Sequence, residues 1–373
     1  MKVTVLRESL AQGLSIVARA VAARSSLPVL GNVLLATDDG RLRLSATNLE
    51  MGITCWIGAK IEEEGSTTVP ARTFSELVGT LTDSKVDLAL TVRNQTLNVR
   101  SGATNANLKC IDAQEFPPMP VGDAAGGIQL NVSDLKEMIQ QVVFAAATDE
   151  TRPVLTGVQV KVAGNKISMG AADGFRFSMR SAELSAPIAR PLSAIIPARA
   201  LAELARILNE ASVVMSLPSG RNQVIFRGKD VELVSQLIEG TFPELEALIP
   251  RNTKTRTVVS TPAILKACKQ TEIFARDNSS IARFNIIPGG EMMPGTVEIS
   301  GQSEESGSNL TTIEASIDGP RLLIAFNVRF IREVLEVIKT PNVVLETTTD
   351  ETPGMVRPVG DENYIHVIMP MKL

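Results

Sequence analysis

Val69-Pro70-Ala71-Arg72 returns as Ile196-Pro197-Ala198-Arg199, 127 residues further along the chain. On either side of it nearly the same displacement recurs. Leu27-Pro28-Val29-Leu30 is echoed 125 residues later by Arg152-Pro153-Val154-Leu155, and Phe116-Pro117 is echoed 126 residues later by Phe242-Pro243. Three matches in one order at nearly one spacing mark a duplication, and self-similarity of this kind decides an architecture before any single element does. A third, fainter copy follows. Phe326-Asn327-Val328-Arg329 stands 130 residues after Ile196-Pro197-Ala198-Arg199, and Thr261-Pro262-Ala263-Ile264-Leu265 opens a helical pattern as Val132-Ser133-Asp134-Leu135 does in the second copy.

Each copy reads as a helix, strands separated by turn signals such as Asp38-Asp39-Gly40 and Gly164-Asn165, a second helix and further strands. Apolar residues recur at helical spacing in Leu10, Leu14, Val17 and Val21, and again in Leu135, Met138, Ile139 and Val142. Arg41-Leu42-Arg43-Leu44 and Leu97-Asn98-Val99-Arg100 alternate as half-buried strands do. The expected class is α+β, three repeated helix-and-sheet domains over residues 1–121, 128–248 and 252–373. Small residues at Gly122–Gly127 and the polar run Pro250–Lys254 separate them. Gly289–Gly295 and Ser303–Ser308 read as hairpin tips in the third copy.

With 373 residues and 44% hydrophobic content, the chain has material for several packed cores. Its apolar runs are far shorter than the roughly 20 residues of a membrane span, and Met1-Lys2-Val3-Thr4-Val5 lacks a secretory layout. A cytoplasmic protein with no membrane partner is expected. Cys55, Cys110 and Cys268 are odd in number and far apart, which fits neither a disulfide framework nor a thiolate metal site. His366, the only histidine, reads as a strand residue near the C-terminus. No phosphate-binding loop, dinucleotide fingerprint, nucleophile elbow or metal-binding helix motif occurs, and Gly290–Thr296 has the glycine spacing of a phosphate loop without its lysine. The acidic pairs, among them Glu304/Glu305, sit in loop-like sequence as solvated charge. Neither an enzymatic centre nor a cofactor is expected.

The net charge of −4 argues against coating DNA by bulk electrostatics. Its distribution is uneven. Over the six expected helices, 7–24, 72–81, 133–147, 199–209, 261–276 and 327–339, basic side chains outnumber acidic ones by thirteen to eight. Six equivalent helices on one mildly basic face would hold phosphates weakly enough to permit movement along a duplex.

Leu27–Asn32, Thr47-Asn48-Leu49-Glu50-Met51, Val69–Arg72, Ala172-Asp173-Gly174-Phe175-Arg176 and the terminal Met369-Pro370-Met371-Lys372-Leu373 together resemble the bacterial DNA polymerase III β subunit family, the sliding clamps, over the whole chain. The resemblance implies a head-to-tail homodimer closed into a ring, with helices lining a hole for duplex DNA and sheets outside. It implies a processivity factor without catalysis, opened by a clamp loader complex. Its partners would be the DNA polymerase III α subunit, other polymerases and repair proteins bearing clamp-binding peptides. For those peptides it implies a hydrophobic cleft of Leu155, Ala172, Gly174, Phe175, Arg176, Phe177, Pro243, Leu248, Val367, Met369, Pro370 and Met371. The apolar terminus supports part of this independently, because chain ends are usually polar and methionines suit adaptable pockets. Phe175, Ala172 and Ala247 depart from the residues common in relatives, which shifts the peptide preference. For DNA the resemblance points to Arg24, Arg72, Arg152 and Arg199, to which the helix bases Lys266 and Lys269 are added. For the dimer seam it points to Phe74, Val78 and Leu108 facing Ile273 and Phe274 of a second chain.

Overall fold

The computed structural model describes residues 1–22, 26–119, 127–218, 220–276, 279–290 and 293–372. The repeat is visible in the order of its elements. The first copy runs β1 (Lys2–Leu6), α1 (Arg7–Val17), β2 (Asn32–Asp38), β3 (Arg41–Thr47), β4 (Met51–Glu63), β5 (Ser66–Pro70), α2 (Ala71–Thr80), β6 (Lys85–Thr91), β7 (Thr96–Ser101) and β8 (Thr104–Lys109). The second is β9 (Ile128–Asn131), α3 (Val132–Val142), β10 (Gly157–Ala163), β11 (Lys166–Ala172), β12 (Arg176–Glu183), β13 (Leu192–Pro197), α4 (Ala198–Ile207), β14 (Ser212–Ser216), β15 (Gln223–Arg227) and β16 (Val231–Gln236). The third is β17 (Thr255–Ser260), α5 (Thr261–Ala275), β18 (Ile281–Ile287), β19 (Gly295–Ser303), β20 (Gly307–Asp318), β21 (Leu322–Asn327), α6 (Val328–Val337), β22 (Asn342–Thr347), β23 (Gly354–Pro358) and β24 (Tyr364–Ile368). The third copy, faint in sequence, keeps every element.

Each copy opens on a short strand, not on the helix expected. β1 shows why. Val3 and Val5 point into the core while Lys2 and Leu6 are exposed, an alternation of period two that runs directly into the helical period. The helices also end earlier than their apolar patterns suggest. α1 and α3 tighten into 3-10 turns at Ala18–Ala20 and Val143–Ala145, a common way for a helix to finish. α6 starts at an Asn327 cap whose side chain accepts the Arg329 N–H, and Pro262 occupies the first turn of α5, where no N–H is needed. The Asp39-Gly40 turn between β2 and β3 takes positive φ at both residues, the geometry that matches hairpin twist.

Two compact units result, each holding one twelve-stranded sheet. Residues 1–133 and 203–237 carry the order β8-β7-β6-β1-β4-β16-β15-β14-β9, with β2, β3 and β5 attached through β4. Residues 134–202 and 238–373 carry β13-β10-β11-β12-β24-β23-β22-β17-β20-β19-β18-β21. The second copy is divided between them, because β9 pairs with β14 and not with β12 among the described strands. One rule joins neighbouring copies: the fourth strand of one pairs antiparallel with the last strand of the next, β4 with β16 and β12 with β24. Helices pack on the sheets through buried stripes such as Leu10, Leu14 and Val17 of α1 and Ile331, Val334 and Leu335 of α6. No helix among the described residues is long and apolar enough to cross a membrane.

Candidate functional site

The turn between β11 and β12 is built by Asp173. Its Oδ1 accepts the N–H groups of Phe175 at 2.9 Å and Arg176 at 3.0 Å, the local bonding that makes aspartate a turn residue. Gly174 sits at φ +92°, a left-handed conformation that strains a residue with a Cβ, and a Cβ there would also have to push aside the Arg152 guanidinium 2.5 Å away. Arg152 Nη2 donates to the Asp173 carbonyl at 2.9 Å. Held this way, Phe175 projects with 60% of its surface exposed. Its carbonyl receives the Met369 N–H at 2.8 Å, and the Met371 N–H bonds the Ala325 carbonyl at 2.8 Å. The apolar terminus is thus tied down by its backbone while Met369 stays 45% exposed.

Beneath lies a row that crosses three strands, Ala172 opposite Phe177 opposite Val367. These buried side chains cluster with Ile195, Phe242, Leu245 and Met355, and Leu155 packs half-buried against them. Leu245 anchors the 3-10 turn Leu245–Leu248, leaving Leu248 56% exposed beside exposed Pro243. Of the residues expected in the cleft, Ala172, Phe177 and Val367 form the floor, Phe175, Leu248 and Met369 offer open apolar surface, and Pro370 and Met371 are half-covered.

Arg176 departs from that expectation. It is buried, and its guanidinium turns inward: Nε to Asp173 at 3.0 Å, Nη1 to Glu333 on α6 at 2.6 Å and Nη2 to the Phe144 carbonyl at 2.8 Å. It also lies 4.1 Å from the Phe330 ring centre and 5.3 Å from that of Phe144. Arg176 therefore positions the turn and offers no charge to a ligand. Beside it, His366 is fully buried on β24, with Nδ1 2.5 Å from Ser178 Oγ, Nε2 without a partner and the ring against Phe144. Burial first, then the charge of Arg176, pushes its pKa well below the usual histidine value. Glu333, Phe144, Phe330 and Ser178 were invisible to sequence reasoning, since nothing in their spacing relates them to residues 173–176.

The same backbone recurs one repeat earlier. The Gln236 N–H donates to the Glu50 carbonyl at 2.8 Å, as Met369 does to Phe175, and Leu49 takes φ +76° where the second copy has Gly174. Glu50 and Gln236 stand where the later junction exposes a phenylalanine and a methionine. The apolar patch is therefore a decoration of one junction, not a property of the repeat.

The expected DNA-contacting residues are dispersed. Arg24 lies outside the described residues. Arg72 is exposed and bridges Glu76 at 2.9 Å, Lys269 bridges Glu336 at 3.0 Å, and Arg199 and Lys266 are exposed. Arg152 is engaged at the Phe175 turn. Within the observed helix limits there are nine basic against eight acidic side chains, so the excess expected over longer helices nearly vanishes. The missing bases Arg19, Arg24, Arg276 and Lys339 follow the helix C-termini in sequence, where cations suit the helix dipole.

The dimer-seam expectation needs correction. Phe74 and Val78 are wholly buried, because the apolar stripe of α2 faces α1, β2 and β5 of its own unit. They hold the core and present nothing to a second chain. Leu108 lies on β8, Ile273 on α5 is 55% exposed, and Phe274 is half-buried. Among the described residues the sheet orders end at β8, β9, β13 and β21, and two of the open stretches belong to the first and third copies. β8 pairs with β7 alone, and β20 pairs with β19 along its length but meets β17 only from Ala315 onward.

Among the described residues no three His, Cys, Asp or Glu side chains are grouped to hold a metal ion. Models of the DNA polymerase III beta subunit match the chain in three stretches: the N-terminal domain over 1–120, the central domain over 129–244 and the C-terminal domain over 246–372. The chain is 31% identical to the beta sliding clamp of Bacillus subtilis over 382 residues, and 31% identical to that of Synechococcus elongatus over 379, with all of both chains covered in each case. Its structure is similar to the crystal structure of the Bacillus subtilis DNA polymerase sliding clamp, with a TM-score of 0.93 at 30% identity, covering 100% of this chain and 99% of that one. It is similar also to a Pseudomonas aeruginosa DnaN sliding clamp bound to griselimycin, with a TM-score of 0.92 at 27% identity and both chains fully covered. Three copies of one α+β unit, without a catalytic constellation, thus place the chain in the DNA polymerase III β subunit family, the sliding clamps, which act as non-catalytic processivity factors.

Proposed function

We propose that two copies of this chain close head to tail into a ring around duplex DNA and carry replication proteins along it. The observation that supports this most directly is the strand-sharing rule. β4 takes β16, β12 takes β24, and the third copy leaves the first part of β20 without a partner on one side, while β8 of the first copy is equally open. β8 holds the position of β16 and β24 in its own repeat. Pairing β20 of one chain with β8 of the next applies the rule twice more and closes six units, which is how a heterologous interface becomes a finite assembly. Leu108 on β8, with Ile273 and Phe274, then lies at this seam.

A ring retains DNA by topology, so modest phosphate contacts from Arg24, Arg72, Arg199, Lys266 and Lys269 suffice despite the acidic total. The patch of Phe175, Leu248 and Met369 over its floor is the docking cleft for peptides of the DNA polymerase III α subunit, other polymerases, the clamp loader complex and repair proteins, in the cytoplasm. The test is retention on DNA. After loading, the protein is expected to stay on a nicked circle and to leave when the circle is cut. Equal retention on both forms, or a solution mass of one chain at high concentration, would overturn the reading.

A further inference from the structure

The turn that presents Phe175 has a counterpart in the first copy, and the two differ in how a charge is held. Asn48 Oδ1 accepts the N–H groups of Glu50 at 3.1 Å and Met51 at 2.8 Å, as Asp173 Oδ1 accepts those of Phe175 and Arg176. The second helix of the following copy carries a glutamate at the same place in each case. These are Glu203 on α4 and Glu333 on α6, 130 residues apart like Arg199 and Arg329. Both are mostly covered, with side chains 14% and 16% exposed, and both meet an arginine of the preceding copy. The arginine comes from a different element. Glu203 takes Arg19, in the 3-10 turn after α1, at 2.9 Å. Phe144 stands at that point of the second copy, and Glu333 takes Arg176 at 2.6 Å instead. In the first copy the residue matching Arg176 is the uncharged Met51.

At the later junction the ion pair is thus routed through the turn itself. Glu333 Oε2 accepts from Arg176 Nη1, Asp173 Oδ2 accepts from Nε of the same guanidinium, and Asp173 Oδ1 accepts the Phe175 N–H. A planar guanidinium presents its donors as a rigid fork, so holding one arm orients the other. Without the Glu333 charge, Arg176 keeps Asp173 and the Phe144 carbonyl, both in the second copy, and loses its ionic tie to the third.

We infer that Glu333 is a positioning residue for partner docking, which acts through Arg176 and Asp173 to hold Phe175 in its outward pose. The inference rests on the docking reading of the Phe175 patch. A side chain already fixed in its bound pose gives up little freedom on binding, so loosening the turn weakens partners without removing a contact.

Two readouts on the full-length protein test this. The first, taken without ligand, is amide hydrogen exchange at Phe175 and Arg176, with Lys166–Ala172 of β11 as internal reference. The second is the affinity of a fluorescein-labelled Leu-Leu-Phe amide, whose apolar side chains suit the exposed Phe175, Leu248 and Met369. Glu333→Gln is expected to speed the two amides and to weaken the peptide, each by about tenfold, the scale of one charge-assisted hydrogen bond. Glu203→Gln, the counterpart change at the first junction, leaves both at parental values. In an Arg176→Met background, Glu333→Gln adds nothing further to either, as a residue acting only through Arg176 requires. Parental exchange in Glu333→Gln, an equal effect of Glu203→Gln, equal acceleration in β11, or a full additional loss in the Arg176→Met background overturns the proposal. Parental peptide affinity in Phe175→Ala, or no binding to the parent, sinks the docking reading and the role in docking with it, and exchange read without peptide tells that failure apart.

Discussion

At the scale of single residues, the polar cluster around Arg176 carries more stability than its exposed neighbours. Breaking a buried ion pair from one side strands the other charge, at about 3–5 kcal/mol. Arg176→Met leaves Asp173 nearly buried without its cation, while Glu333 keeps Arg329 at 2.8 Å and Arg332 at 3.8 Å, so a loss toward the lower end, about 3 kcal/mol, is expected in urea unfolding. Equal stability of parent and Arg176→Met would show that the cluster is inert. His366 sets a pH dependence. Its pKa is depressed by burial, so in the folded state it stays neutral while the unfolded chain takes up a proton below about 6.5. The contribution is whole above that value and falls by about 1.4 kcal/mol per pH unit below it. Unfolding at pH 7.5 and 5.5 is expected to show this slope in the parent and to lose it in His366→Gln. The motif Ala172–Arg176 marked this neighbourhood in the sequence, but Glu333 is 157 residues from Arg176, and no local pattern encodes that pairing.

Among the elements, the strand tail after β24 shows how backbone bonds decide what a sequence motif does. Met369 and Met371 are fixed by one N–H each, to Phe175 and Ala325, while the Met369 side chain contributes to open surface. Removing residues 369–373 is expected to leave cooperative melting close to that of the parent and to abolish binding of apolar partner peptides. A chain that no longer melts cooperatively would assign the tail to the fold and not to docking. Helix existence was legible from periodicity alone. The helix ends were not, because 3-10 turns at Ala18–Ala20 and Val143–Ala145 keep the apolar spacing while changing the hydrogen bonding. The opening strands were missed for the opposite reason: four to six residues of alternation are short beside the helix that follows.

For the whole molecule, the nearly balanced helix charge makes a specific demand on the ring. If topology holds the DNA, residence on a closed circle should change little between about 50 and 200 mM salt, whereas purely electrostatic binding would weaken by orders of magnitude over that span. Measuring dissociation from circles and from blunt linear duplex at both salts separates the two. Leu310→Arg, on the open part of β20, is expected to give a folded single chain in sedimentation and to lose retention on circles. An unchanged dimer would place the seam elsewhere.

The sequence by itself determined that one unit is used three times and that no catalytic constellation accompanies it, because spacing between short motifs survives divergence and motif absence is directly readable. Periodicity determined the six helices for the same local reason. Only the tertiary structure decided which apolar residues are surface and which are core. Phe74 and Phe175 are equally hydrophobic, yet one is sealed under α2 and the other is held out by an aspartate-built turn. That difference rests on contacts between residues far apart in the chain, and so it is absent from any local pattern. The strand-sharing between copies has the same origin, since hydrogen bonds from β4 to β16 and from β12 to β24 join segments about 180 residues apart.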